Sequence, residues 1–361
     1  MFDNNDCNSS ACGPVLEKNV HGGDVYNNNV MLDYSVNINP LGLPEGIKDA
    51  LKAAAEIVDE YPDIDSRELT KKLAGKFGVK EDYIALGNGA SEIFMSIVHA
   101  LKPKRALVLA PSFYGYKYAL EAVDAKIKYH YLKENEGFAP DDSLIDDISE
   151  DLDMIFLANP NNPTGKALEP LFLEKLVRTC NNKGVTVVLD ECFVEFMKGD
   201  YTMIGKLEEF DNLIIVRAFT KLYCVPGVRL GYMFGSNLDY VNRIKRQLPE
   251  WNISVFAQKC GEACLLYERF EEMTADFVAS EKEYLMKGLK KLGIKAFSSA
   301  TNFILLYSDK DLYKLLLDKG ILIRNCENFE GLKKGYFRIA VKSRGENEKF
   351  LKVLGECVEG N

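Results

Sequence analysis

The chain has 361 residues, more than one hydrophobic core normally organises, so two domains are expected. Its 47% apolar and 27% charged residues suit an ordinary globular protein, and a net charge of -9 with a pI near 5.2 argues against a general binder of nucleic acid or of anionic membranes. Anionic small molecules stay open as ligands, because a basic pocket can sit inside an acidic protein.

The first 30 residues are rich in Asn, Asp, Ser and Gly and read as a polar arm, apart from the compact His21-Gly22-Gly23. The start has neither the basic residues nor the apolar stretch of a secretion signal, and no run in the chain reaches the length of a bilayer span, so the cytoplasm is the expected location. From Gly46 onward helical patterns alternate with short apolar runs. Helices are predicted over Gly46–Glu60, Ser66–Phe77, Ser91–Leu101 and Glu169–Asn182, and strands over Tyr83–Leu86, Ala106–Leu109, Met154–Ala158, Val185–Leu189 and Leu213–Val216. That alternation predicts an α/β fold with a mostly parallel sheet covered on both faces. After Trp251 the texture changes: a long helical stretch over Val255–Leu292 precedes short strands near Phe303–Tyr307, Ile321–Arg324 and Tyr336–Val341. The expected division is an arm over residues 1–45, a large domain over 46–252 and a smaller α+β domain over 253–361. Nine cysteines are scattered, Cys7 and Cys12 in the arm and Cys260 and Cys264 four apart in a helix; with three histidines and no distant CxxC pair, incidental thiols are expected rather than a metal site.

In an open parallel sheet, ligands gather at the carboxyl ends of the strands, and four of these ends carry chemistry. Ile84-Ala85-Leu86 runs into Gly87-Asn88-Gly89-Ala90-Ser91 and then a helix, whose first N–H groups can receive an anion; no Gly-Lys-Ser/Thr follows, so this is not a Walker loop. Leu157-Ala158 leads to the rigid turn Asn159-Pro160-Asn161-Asn162-Pro163-Thr164-Gly165. The apolar strand Val187-Val188-Leu189 ends in Asp190-Glu191, and buried acids demand partners. Ile215-Val216 leads to Arg217-Ala218-Phe219-Thr220-Lys221, with Arg229 eight residues after the lysine.

Each segment alone has a bland structural reading, but their order and spacing resemble the fold type I pyridoxal-phosphate (PLP) enzymes of the aminotransferase superfamily, class I/II, over nearly the whole chain after the arm. The resemblance implies a large domain with a seven-stranded sheet and assigns roles. Lys221 holds the cofactor as a Schiff base and moves protons at the substrate α-carbon. Asp190 pairs with the pyridine nitrogen, Asn162 bonds the ring hydroxyl oxygen and Phe113 stacks on the ring. Gly89, Ala90, Ser91, Thr220 and Arg229 hold the cofactor phosphate, and Tyr61 reaches the phosphate of a partner subunit, implying a homodimer with shared active sites. Arg338, in Tyr-Phe-Arg-Ile-Ala, matches the arginine that grips the substrate carboxylate, where a bidentate fork suits two oxygens. One departure is Ala218, at a position where relatives often carry a hydroxyl.

Two branches of that superfamily are resembled most, the threonine-phosphate decarboxylases of cobalamin side-chain synthesis and the histidinol-phosphate aminotransferases. His21-Gly22-Gly23 followed by Leu32-Asp33-Tyr34-Ser35-Val36-Asn37-Ile38-Asn39-Pro40-Leu41-Gly42 is similar to the decarboxylase start, whereas aminotransferases usually read Asn-Glu-Asn-Pro. Phe193 stands where aminotransferases usually have tyrosine; Tyr223-Cys224-Val225-Pro226-Gly227 and Ile321-Leu322-Ile323-Arg324-Asn325-Cys326 point the same way. A phosphorylated substrate needs its own cationic pocket, for which His21, Gly22 and Arg324 are the candidates, with Lys342 further out; Asn39 joins Arg338 in orienting the substrate. The reading is decarboxylation of L-threonine O-3-phosphate to aminopropanol phosphate and carbon dioxide. Its rivals are histidinol-phosphate transamination and decarboxylation of O-phosphoserine, one methyl smaller. A non-catalytic PLP-binding sensor would need a DNA-binding domain, which the short acidic arm does not offer, and a degenerate scaffold would be expected to lack Lys221 or Asp190.

Overall fold

A computed structural model describes residues 21–359. The arm before His21, with Cys7 and Cys12, lies outside the described residues. In chain order the first elements are β1 (Leu32–Asp33), α1 (Glu45–Ala54), α2 (Arg67–Phe77), β2 (Ile84–Gly87), α3 (Ala90–Leu101), β3 (Arg105–Ala110), α4 (Tyr114–Glu121) and β4 (Lys126–Tyr131). Then come α5 (Ser143–Asp146), β5 (Met154–Ala158), α6 (Pro170–Asn182), β6 (Thr186–Asp190), β7 (Leu213–Ala218), α7 (Phe219–Leu222), β8 (Gly231–Gly235) and α8 (Leu238–Lys245). The C-terminal third adds α9 (Val255–Cys264), α10 (Phe270–Lys291), β9 (Lys295–Ala296), β10 (Phe303–Tyr307), α11 (Leu312–Leu317), β11 (Ile321–Leu322), β12 (Arg324–Asn325), β13 (Tyr336–Ala340) and α12 (Arg344–Glu359).

Seven strands form one sheet in the order β2-β8-β7-β6-β5-β3-β4, parallel except for β8, which runs against both β2 and β7. The central strands are apolar along their whole length because each face has its own cover, and the period of two divides them cleanly. Leu107, Leu109, Ile155, Leu157, Val187 and Leu189 enter one core, whereas Ala106, Val108, Met154, Phe156 and Val188 enter the other. Burying a side chain of this size stabilises by about 1.5–3 kcal/mol, so the sheet is a rigid platform for whatever its strand ends carry.

A second sheet, β12-β13-β10-β9, is antiparallel throughout, and its third core joins Ile304, Leu306 and Ile339 to Leu285 of α10 and Phe350 of α12. The arm is tied to this region: β1 pairs in parallel with β11, Tyr34 N–H donates to the Leu322 carbonyl at 2.7 Å, and Ala340 N–H donates to the Tyr34 carbonyl at 2.9 Å.

Three expected elements come out differently. The helix expected over Gly46–Glu60 leaves α-geometry at Ala54 and tightens into a single turn over Ala55–Ile57. The long stretch Val255–Leu292 is two helices, because Tyr267 turns inward toward Phe270 and accepts the Gly46 N–H at 3.1 Å. The strand expected over Ile321–Arg324 divides at Ile323, so that Ile321–Leu322 pairs with the arm and Arg324–Asn325 with β13.

Candidate active site

The carboxyl ends of the central strands open on a cavity of about 230 Å³. Lys221 lies on α7, the single turn that follows β7, and its carbonyl accepts the Asn39 N–H at 3.1 Å. Burial, with the Arg338 guanidinium adding to it, pushes the Lys221 ammonium down to about 8. Opposite, Asp190 closes β6 and receives hydrogen bonds from neutral donors, the Tyr116 hydroxyl at 2.6 Å and the Cys192 amide at 2.9 Å. Burial raises the Asp190 carboxyl, against the pull of those hydrogen bonds. A half-buried acid with neutral partners and a cavity in front is suited to a cationic N–H from a ligand.

Its neighbour Glu191 is answered from within: Arg217 of β7 reaches it through Nε at 3.0 Å and Nη2 at 2.7 Å, and Thr202 donates to it at 2.8 Å. The two adjacent acids therefore differ in kind. Glu191 belongs to the scaffold; Asp190 faces the cavity.

An anion cup lies at the start of α3. Ala90, Ser91, Thr220 and Arg229 line the cavity there. Gly89 lies behind them with a positive φ of 85°, and a Cβ at that position would collide with the Arg229 guanidinium. The cup thus depends on a glycine that lets a cation lie flat against the helix entry. Phe113 and Asn162 also line the cavity, Phe113 beside the His21 ring and Asn162 against Arg338.

A second cationic group faces the first. Arg338 of β13 and Arg324 of β12 are register partners across the small sheet, and both are buried. Arg338 donates to Asn162 Oδ1 and, at 2.8 Å, to the Ser35 carbonyl, with Phe303 5.3 Å beneath its guanidinium. Burial, with Arg324 adding to it, lowers Arg338 to about 10. Arg324 donates to the Asn325 carbonyl and to Asn328 Oδ1 at 2.7 Å, over the ring of Phe329, and burial lowers it as well. His21 and Gly22 join the cavity wall here, and the His21 imidazole is held below its usual value by burial and then by Arg324 and Lys221. The turn carrying them is fixed by Ser35, whose Oγ accepts the Gly23 N–H at 2.7 Å. Two buried arginines with depressed affinity for their protons favour bound anions.

Three of the expected positions lie outside this cavity, which departs from expectation for Asn39 but not for Tyr61, given to a partner subunit, or Lys342, given an outer place. Asn39 does not line the cavity: its amide donates to the Leu222 carbonyl and Thr274 Oγ1, and its oxygen accepts from Leu41 N–H, so it is spent on holding α7. Asn37, two residues earlier, lines the cavity instead and accepts from Arg338 Nε at 3.3 Å and Nη1 at 3.2 Å when its oxygen faces the guanidinium. Tyr61 is 84% exposed and stands on Trp251 with ring centroids 5.1 Å apart, outside its own subunit's cavity. Lys342 is not among the lining residues. Residues missed in the sequence are Asn37, Tyr116 and Ser35; the signal for Tyr116 was its spacing of three from Phe113, which puts both on one side of the entry to α4.

A recessed lysine, an acid awaiting a cationic ring N–H, an aromatic wall and an anion cup at a helix start together define a PLP site, and the half-buried Asp190 and the glycine-backed cup fit that group. The chain belongs to the aminotransferase class I and II family, whose sequence model matches residues 29–354, and it is PLP-dependent. It is 32% identical to the threonine-phosphate decarboxylase of Salmonella typhimurium over 358 residues, 96% of this chain and 98% of the relative. Among solved structures it is similar to the histidinol-phosphate aminotransferase from Clostridium acetobutylicum, with TM-score 0.85, 32% identity and coverage of 92% of this chain and 100% of that one. It is also similar to the L-threonine-O-3-phosphate decarboxylase from Porphyromonas gingivalis, with TM-score 0.82, 25% identity and coverage of 91% and 100%. The fold is thus that of fold type I PLP enzymes, and among the described residues no helix is long and apolar enough to cross a membrane.

Proposed function

We propose that the protein decarboxylates L-threonine O-3-phosphate to (R)-1-aminopropan-2-yl phosphate and carbon dioxide, in the assembly of the cobalamin side chain. The observation that carries this reading is the second cationic group, His21 with the facing pair Arg324 and Arg338, separate from the Arg229 cup. One anion site serves the cofactor phosphate. The other is left for a substrate with two anionic groups of its own.

PLP held in the cup by Ala90, Ser91, Thr220 and Arg229 would supply an electron sink for a bond broken at the substrate α-carbon. Arg338, steadied by Asn37 and Ser35, grips the carboxylate, while Arg324 and His21 hold the phosphate. Two anchored anions would fix the rotation about the α-carbon and so select the carboxylate rather than the hydrogen for loss. Lys221, brought down to about 8 by burial, then carries the proton that replaces carbon dioxide. Phe193 adds an apolar wall against Phe303, 5.1 Å between centroids, where a tyrosine hydroxyl would serve an aminotransferase.

The competing reading, histidinol-phosphate transamination, draws support from the equal 32% identity to the aminotransferase of Clostridium acetobutylicum. Both readings place the protein in the cytoplasm as a homodimer, with the exposed Tyr61 delivered to the partner's cup. The deciding experiment adds L-threonine O-3-phosphate to the yellow holoenzyme without a keto acid and follows carbon dioxide and aminopropanol phosphate by mass spectrometry. Sustained release with the holoenzyme absorbance retained supports the decarboxylase. Absence of carbon dioxide, with bleaching on histidinol phosphate, supports the aminotransferase; carbon dioxide from O-phosphoserine at an equal rate would widen the substrate to the smaller homologue.

A further inference from the structure

Tyr116 is fully buried, yet its surroundings supply packing and no polar neighbour except Asp190 is needed to explain its hydroxyl. The ring is stacked on Phe156 at 5.2 Å and stands edge-on to Phe94 at 5.2 Å and to Phe113 at 5.5 Å. Phenylalanine would satisfy every one of those contacts. What tyrosine adds is one donor, aimed at Asp190 Oδ2 from 2.6 Å, while Cys192 N–H occupies Oδ1 from the other side.

The geometry gives this single side chain two neighbours in the site. Phe113, one turn back at the entry to α4, lines the cavity; Asp190, at the end of β6, faces it from below. Tyr116 links the helix to the strand end through a hydroxyl, so the aromatic wall and the acid keep a fixed relation. The titratable groups facing Asp190 are Tyr116 from α4, Cys192 and Glu191 from its own strand end, and Lys221 from α7. Burial pushes Asp190 toward its neutral form, and of the side chains that oppose this by a hydrogen bond, Tyr116 is the one on a separate element.

We propose that Tyr116 is a positioning residue that holds Asp190 oriented and ionised, so that the acid is ready to receive the cofactor ring nitrogen. The inference concerns cofactor binding alone and does not depend on which reaction follows. The phenol proton stays on the tyrosine throughout; no covalent step is involved.

The test measures the PLP dissociation constant of Tyr116→Phe as a function of pH, by titrating apoprotein with cofactor and reading absorbance. Losing a hydrogen bond to a charged group should weaken binding about tenfold or more at neutral pH, and should move the acid limb of the binding profile to higher pH. The isotope-edited infrared band of the Asp190 carboxyl in the apoprotein should shift in the same sense, a change that loss of packing would not produce. Parental affinity with an unmoved acid limb would overturn the proposal. Should Tyr116→Phe give little folded protein, 3-fluorotyrosine at position 116 keeps the packing and strengthens the donor. The acid limb should then move to lower pH, and an unmoved limb again overturns the proposal.

Discussion

The two halves of the cavity are built in opposite ways. The cofactor half is made of strand ends in one sheet: Asp190 closes β6, Lys221 follows β7 directly, and Ala90 and Ser91 open the helix after β2. The other half, which the proposed function gives to the substrate, is gathered from the arm, the short strand β12 and the strand β13, that is from His21, Arg324 and Arg338. In the first half each functional residue sits within a few positions of a buried apolar strand, so its placement is inherited from the core. In the second, placement rests on hydrogen bonds between distant segments, such as Arg338 to the Ser35 carbonyl. Under the proposed function, chemistry common to the family falls to the rigid half, and specificity to the half whose supports can be exchanged one at a time.

Lys221→Ala is the most severe test of the rigid half. It should cost roughly 10²–10⁴-fold in kcat from loss of proton transfer alone, and the absorbance of the lysine-bound cofactor should vanish. Next is the scaffold beneath, where Arg217→Met leaves Glu191 and Glu195 buried without their cation. Breaking such a pair costs about 3–5 kcal/mol, which urea unfolding of the apoprotein would measure. On the substrate half, Arg324→Ala should raise KM for a phosphorylated substrate about 10- to 100-fold, yet leave the PLP dissociation constant at its parental value. A parallel loss of cofactor affinity would break the division between the halves.

A gentler probe is pH. Burial disfavours the Lys221 ammonium, so the free amine appears as pH rises through about 8 rather than near 10.5. The rate at which apoprotein combines with PLP should therefore rise about tenfold between pH 7 and 9 and then level off, whereas an unshifted lysine would keep gaining. The smallest effect is expected at Tyr61→Phe, a few-fold weakening of cofactor binding that depends on protein concentration if a partner subunit receives the hydroxyl. The chain's single tryptophan, Trp251, lies against that ring, so its fluorescence on dilution reports the same surface.

The contrast also explains how much the sequence disclosed. The central strands announce themselves as unbroken apolar runs, and the cofactor residues sit where those runs stop. The edge strand β4, Lys-Ile-Lys-Tyr-His-Tyr, carries charge on its open side and escapes that rule, as does β8, two residues of which are glycine. Asn37 and Asn39 illustrate the limit best. Both belong to one short motif and both are buried, and only the three-dimensional path decides that the first meets Arg338 while the second braces α7. Tyr116 is similar: one tyrosine among eighteen, marked out only by the carboxylate that comes to it from another strand.

The parallel pairing of Leu32–Asp33 with Ile321–Leu322 has a further consequence. The arm is held on one side by β11 and, through the Tyr34 carbonyl, by β13, and on the other by α7 through Asn39, so it spans the seam between the residues Arg324 and Arg338 and the strand ends bearing Lys221 and Asp190. A pairing slip of a single residue would turn the arm's side chains to the wrong face, parting His21 from Arg324 and Asn39 from α7 in one step.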